Sequence, residues 1–86
     1  MKVQYSRASL KFLRKLDSAS VERIRRGIAD LTRQPPEGDI KPLRGYPDGR
    51  KRLRIGDWRV IFRNDMQGRI EILLIIDIGN RGDIYK

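Results

Sequence analysis

The sequence predicts an α/β domain of the α+β kind. A strand and a helical hairpin at the N-terminus should pack on one face of a mostly antiparallel sheet of about four strands. Residues 10–31 carry apolar side chains three and four apart, in two runs separated by "DSAS". Residues 50–63, "RKRLRIGDWRVIFR", alternate charged and apolar residues on both sides of Gly56-Asp57. Residues 69–78, "RIEILLIIDI", are apolar on alternate positions and on several positions between them. The first pattern has the period of helices; the other two have the period of strands.

Taken in order, "VQY" opens the chain as a short strand. Ser6 can cap a helix running to about Asp17, with Leu10, Leu13 and Leu16 three apart and Phe12 paired with Leu16 at i, i+4. Ser18 or Ser20 can cap a second helix. Val21, Ile24, Ile28 and Leu31 form its apolar stripe, and Arg23, Arg25, Arg26 and Arg33 occupy its other faces. This helix should stop by Gln34, since Pro35 disfavours helical backbone in the residue before it. "PPEGD" is a loop, and "IKPLRGYPDG" is irregular, with room for a short strand near Leu43. "NDMQG" is expected to turn the chain into the last long strand. There Ile70, Ile72, Leu74, Ile76 and Ile78 should line one face, with Leu73 and Ile75 on the other. Apolar residues on both faces point to a central strand. "GNRGDIYK" closes the chain as a turn and a short strand or tail.

Composition narrows the function classes. At 86 residues and 38% hydrophobic content, the chain suits one domain with a modest core. It has no cysteine, so disulfides and thiolate chemistry are excluded and a reducing cytoplasm is expected. It has no histidine, which removes the commonest neutral-pH acid or base and argues against a zinc site. No apolar run approaches the roughly 20 residues that span a bilayer, and no signal-peptide pattern opens the chain. The net charge is +9 and the pI about 10.7. A nucleic acid, an acidic protein or an anionic membrane would each suit such a charge. Residues 41–63 hold eight Lys/Arg and two Asp, so the excess sits on structured backbone rather than in a basic tail.

Glycine at the first of two loop positions, Gly56-Asp57, fits a type II′ hairpin turn. That turn places Ile55 opposite Trp58, Arg54 opposite Arg59, Leu53 opposite Val60, Arg52 opposite Ile61 and Arg50 opposite Arg63. Leu53, Ile55, Trp58, Val60 and Phe62 then share a face with Lys51. The reverse face holds Arg50, Arg52, Arg54, Arg59 and Arg63 around Ile61. The first face is core. The second sets like charges about 5 Å apart, which destabilises a sheet. A face made only for solubility would mix signs, and this hairpin face has no carboxylate. An anionic partner would offset the repulsion, and arginine's planar fork suits phosphate oxygens. The competing reading is a solvated basic face.

"LRGYPDGRKRLRIGDWRVIFR" followed by "IDIGNRGDIY" resembles the RelE/ParE superfamily of bacterial type II toxins, over essentially the whole chain. The resemblance implies a helical hairpin over a curved antiparallel sheet. It also implies neutralisation by an acidic or amphipathic segment of a cognate antitoxin. RelE-like members cleave mRNA in the ribosomal A site without metal or cofactor. ParE-like members inhibit DNA gyrase and lack the basic catalytic set.

For the RelE-like activity the resemblance carries catalytic roles onto Arg52, Arg54, Arg59, Arg81 and Tyr85. Arg44, Tyr46, Arg50, Lys51 and Arg63 are expected as RNA-binding residues. The implied partners are mRNA and the ribosome with its 16S rRNA, with no membrane or metal. Asn80 departs from the histidine of many relatives, and Arg52 and Arg54 stand where the best-known members carry lysines. Arg54 and Arg59 would clamp phosphate, and Arg81 would stabilise or protonate the leaving group. Tyr85 would stack on a base or carry a proton. Tyr46 suits base stacking or loop packing, and Trp58 and Tyr5 suit the core. Asp77 and Asp83 suit a carboxylate pair or a brace for Arg81. Asp57 reads as a turn residue, and the arginines of the second helix as a solvated face or a ribosomal RNA contact.

Overall fold

A computed structural model of the chain describes residues 1–80. Strand β1 (Lys2–Tyr5) leads into helices α1 (Arg7–Arg14) and α2 (Ser18–Asp30), followed by β2 (Asp39–Pro42), β3 (Lys51–Ile55), β4 (Trp58–Gln67) and β5 (Ile70–Asn80). The sheet order is β1-β5-β4-β3-β2. Only β1 runs parallel to its neighbour β5; the β5–β4, β4–β3 and β3–β2 pairs are antiparallel. The sheet therefore has five strands. The additional one, β2, lies slightly before the position near Leu43 that the sequence allowed for it. Among the described residues no helix is long and apolar enough to cross a membrane.

Ser6 caps α1 as expected: the Ser9 backbone N–H donates to its hydroxyl at 3.1 Å. The helix closes at Arg14 rather than near Asp17, and Leu16 packs on the core from beyond its end. The cap of α2 is Asp17, not a serine. Its carboxylate accepts from the Ser20 N–H at 3.1 Å and the Ser20 hydroxyl at 2.6 Å. These hydrogen bonds to Ser20 hold the Asp17 carboxyl below its usual range. Helix α2 ends at Asp30, and the chain then tightens into i→i−3 turns through Arg33.

One core joins the two layers. Leu13, Ile24, Ile28 and Leu31 from the helical side meet Leu53, Val60, Phe62, Leu73, Ile75 and Ile78 from the sheet, with Val3, Tyr5 and Trp58 packed around them. Gly27 lets α2 close on the hairpin, since a Cβ there would collide with the Cδ1 of Ile55.

The β4–β5 hairpin corrects two expectations. "NDMQG" is not the turn: β4 continues through Gln67, opposite Ile70, and the chain reverses at Gly68-Arg69, with Gly68 at φ +64°. The apolar residues of β5 also do not keep one phase. Phe62 pairs with Ile75 but Ile61 pairs with Asp77, so a bulge inserts Ile76. An extra residue reverses the alternation beyond it. Ile78 consequently joins Leu73 and Ile75 on the helical side, while Ile72 and Leu74 stay on the reverse side with Arg63 and Asp65.

Candidate nucleic-acid interface

The β3–β4 hairpin has the register its turn dictates. Ile55 opposes Trp58, Arg54 opposes Arg59, Leu53 opposes Val60, Arg52 opposes Ile61 and Lys51 opposes Phe62. Gly56 has φ +57° and Asp57 is not in the left-handed region, as a type II′ turn requires. Leu53, Val60 and Phe62 are buried beneath the helices. By alternation Arg52, Arg54, Arg59 and Arg63 share the reverse face with Ile61.

These arginines differ in environment. Arg54 is exposed, and its Nε donates to the Gly56 carbonyl at 3.4 Å. Arg59, its cross-strand neighbour, is half-buried. The Arg52 side chain is only 8% exposed, with Nη1 3.6 Å from Asp39 Oδ2. Arg50 lies just before β3, and no ladder pair joins it to Arg63. Asp48 instead gathers both. Arg50 Nη2 donates to it at 2.8 Å and Arg50 Nε at 3.1 Å, and Arg63 Nε lies 3.9 Å away. Arg63 also reaches Asp65 at 3.4 Å. The hydrogen-bonded Arg50 guanidinium holds the Asp48 carboxyl below its ordinary range, and Asp48 raises Arg50 in return.

The reverse face therefore carries carboxylates that the hairpin alone does not show. They arrive from neighbouring strands and from the β2–β3 loop: Asp39 opposite Arg54, Asp77 opposite Ile61, Asp65 beside Arg63, and Asp48. Asp39 had one readable signal, the alternation of "DIKP", which places Asp39 and Lys41 on the same side as Arg54 and Arg52. Asp48 had none, because its role depends on the path of the loop.

The Arg50 guanidinium also stacks over the exposed Tyr46 ring, 4.3 Å from its centroid. Arg44 and Lys51 are exposed, and the Phe62 pairing puts Lys51 on the helical side. Trp58 packs against the core beneath Arg23, whose guanidinium lies 5.2 Å from the ring. Asp77 accepts from the backbone N–H of Ile78 at 2.9 Å. Arg81, Asp83 and Tyr85 lie outside the described residues, within which no cluster of metal-ligating side chains occurs.

Comparison with known proteins places this arrangement. The YoeB/ParE toxin of Agrobacterium tumefaciens is 26% identical, with a TM-score of 0.76 over 94% of this chain and 99% of that one. The archaeal RelE of the Pyrococcus horikoshii RelE–RelB complex is 28% identical, with a TM-score of 0.67 over 95% and 96%. The RelBE2 toxin–antitoxin complex of Mycobacterium tuberculosis matches at 25% identity and a TM-score of 0.72 over 93% and 96%. No functionally curated protein matches. The family model described as the ParE toxin of the type II toxin–antitoxin system, parDE, matches residues 3–85. The chain belongs to that family, and is a toxin of the RelE/ParE superfamily.

Proposed function

We propose that this toxin is a metal-free endoribonuclease that cleaves mRNA in the ribosomal A site. The reading is carried by Arg54 and Arg59, opposed on the sheet face that points away from the helices. Cleavage begins when the 2′-oxygen bonds to the adjacent phosphorus and gives up its proton. The resulting phosphorane carries extra negative charge on its equatorial oxygens. The bond to the 5′-oxygen then breaks, that oxygen takes a proton, and a 2′,3′-cyclic phosphate and a 5′-hydroxyl remain. Arginines aimed at the phosphorane stabilise it, each donor contributing roughly 10²–10³ in rate. Tyr85 carries the proton taken from the 2′-OH, since arginine stays protonated and makes a poor base, and Arg81 stabilises or protonates the leaving 5′-oxygen. The Tyr46–Arg50 stack and the exposed Arg44 grip the flanking RNA, whereas Lys51 lies on the opposite, helical side of the sheet and takes no part in this grip. The partner that silences the toxin is a cognate antitoxin; the Pyrococcus horikoshii relative is a RelE–RelB complex and the Mycobacterium tuberculosis relative a toxin–antitoxin complex. The site of action is the cytoplasm.

Primer extension on a reporter mRNA tests this. Induced wild type should create new 5′ ends inside codons, and the Arg54→Ala/Arg59→Ala protein should not. A second reading, inhibition of DNA gyrase, is favoured by the ParE character of the matching family and by the ion pairs that occupy Arg50, Arg52 and Arg63. DNA damage with intact mRNA after induction would select it.

A further inference from the structure

Arg52 and Asp39 form an ion pair with an unusual division of exposure. The arginine side chain is 8% exposed and the carboxylate side chain 51%. A cation removed from water must be paired. Among the described residues both polar contacts of Arg52 come from Asp39: Nη1 donates to its backbone carbonyl at 3.4 Å and lies 3.6 Å from Oδ2. Asp39 belongs to β2, the outermost strand, and is in register with Arg54 on the same side of the sheet. A solvent-facing carboxylate thus lies against one buried arginine, Arg52, and in register with a second, the exposed Arg54.

Three carboxylates on this face pair with arginines, Asp39, Asp48 and Asp65, and Asp39 and Asp48 differ in grip. Asp48 receives Arg50 through Nε and Nη2, the shorter contact being 2.8 Å, as a fixed brace would. Asp39 offers Arg52 one side-chain contact, and a loose one. Charge-assisted hydrogen bonds that hold tightly are shorter, about 2.7–2.9 Å. Arg52 Nη1 also donates to the Asp39 backbone carbonyl at 3.4 Å, a contact separate from the carboxylate.

We infer that Asp39 is a built-in anion that occupies Arg52 until a phosphate group displaces it. Phosphate reaches Arg52 by exchange rather than by addition. Asp39 is a positioning residue in this scheme: it holds a buried guanidinium in place and ready, and it sets a threshold that weakly competing anions do not pass. The inference rests on the phosphate-binding reading of this face and adds to it a resting state for one of its arginines.

The test starts with wild-type full-length toxin and inorganic phosphate, followed by NMR at the Asp39 carboxyl carbon and the Arg52 Nε–H. Exchange requires both resonances to move with one midpoint. Movement of neither, or of Arg52 without Asp39, overturns it. Anisotropy of a labelled single-stranded RNA across a salt series supplies the second readout. Asp39→Asn should bind more tightly, and its salt slope should steepen by about 0.7, because no freed carboxylate takes up a cation when the phosphate docks on Arg52. A fourfold rise in salt would then weaken that protein roughly 2.6 times more than wild type. Glu22→Gln makes the same change in net charge on the helical layer, where Glu22 pairs with Arg26, and should leave the slope unchanged. An equal steepening in Glu22→Gln, or an unaltered slope in Asp39→Asn, overturns the exchange. Loss of mRNA cleavage by wild type with the coupled NMR response intact would sink the nuclease reading and leave the exchange standing.

Discussion

Arg54 and Arg59 occupy directly opposed positions in the β3–β4 ladder, one exposed and the other half-buried. Arg54 has Asp39 as its neighbour across the other edge of β3. The row therefore runs carboxylate, guanidinium, guanidinium across three strands. The attraction on one side offsets part of the repulsion on the other, but the Arg54–Arg59 pair itself remains unfavourable. A double-mutant cycle with Arg54→Ala and Arg59→Ala should return a repulsive coupling of about 0.2–1 kcal/mol in urea denaturation. Added salt should shrink it, because exposed charges are screened. A favourable coupling would mean that the two guanidinium groups do not meet across the ladder.

Asp48 makes acid stability the readout for the loop that carries Tyr46. Its carboxyl titrates below the ordinary value of 3.8 because Arg50 donates hydrogen bonds to it. A folded-state value below the unfolded one means that the stabilisation is complete above about 3.8 and is lost as the pH falls through the folded value. Asp48→Asn should therefore flatten the acid limb of the stability curve in that window. Near neutral pH it should also release Arg50 from its place over Tyr46, visible as a shift of the Tyr46 ring resonances. An unchanged acid limb would show that Asp48 does not brace the loop.

Periodicity made most of this fold legible. The hairpin register followed from Gly56, and the helical stripe of Val21, Ile24, Ile28 and Leu31 faces the sheet as its spacing required. The bulge at Ile76 was not legible, because Leu73, Leu74, Ile75 and Ile76 form an unbroken apolar run in which no alternation marks the extra residue. The candidate site was legible as a set of cations but not as a set of ion pairs. Arg52, Arg54 and Arg59 come from one hairpin, where local rules hold. Asp39 and Asp48 reach them from a short edge strand and a loop, where tertiary position decides the contact.

Close approach of α2 to the hairpin depends on Gly27. A Cβ there would strike Ile55 Cδ1 and approach Ile55 Cγ1 at 3.0 Å, next to the turn that sets the arginine register. Gly27→Val adds branched bulk at this contact. Overpacking of this kind costs about 1–3 kcal/mol. Urea denaturation should show that loss. The smaller Gly27→Ala should come out less destabilised, because alanine recovers roughly 1 kcal/mol of helix propensity. If Gly27→Val is as stable as wild type, the two layers are not in contact at this point.

Ser6 links the first helix to the irregularity in β5. Its hydroxyl accepts from the Ser9 N–H at 3.1 Å and donates to the Ile76 carbonyl at 2.6 Å, and its backbone N–H donates to the Ile75 carbonyl at 2.9 Å. The bulged residue thus finds its partner on the cap of α1 instead of within the ladder. Ser6→Ala removes the cap, worth about 0.5–2 kcal/mol, and leaves the Ile76 carbonyl without its hydroxyl partner. The loss should sit at the upper end of that range. Amide exchange should quicken at Ser9 and along β5 near Asp77, while the β3–β4 turn keeps its protection. Ser6→Thr retains the hydroxyl and should recover most of the stability. Exchange that quickens in α1 alone would show that the cap and the bulge are independent.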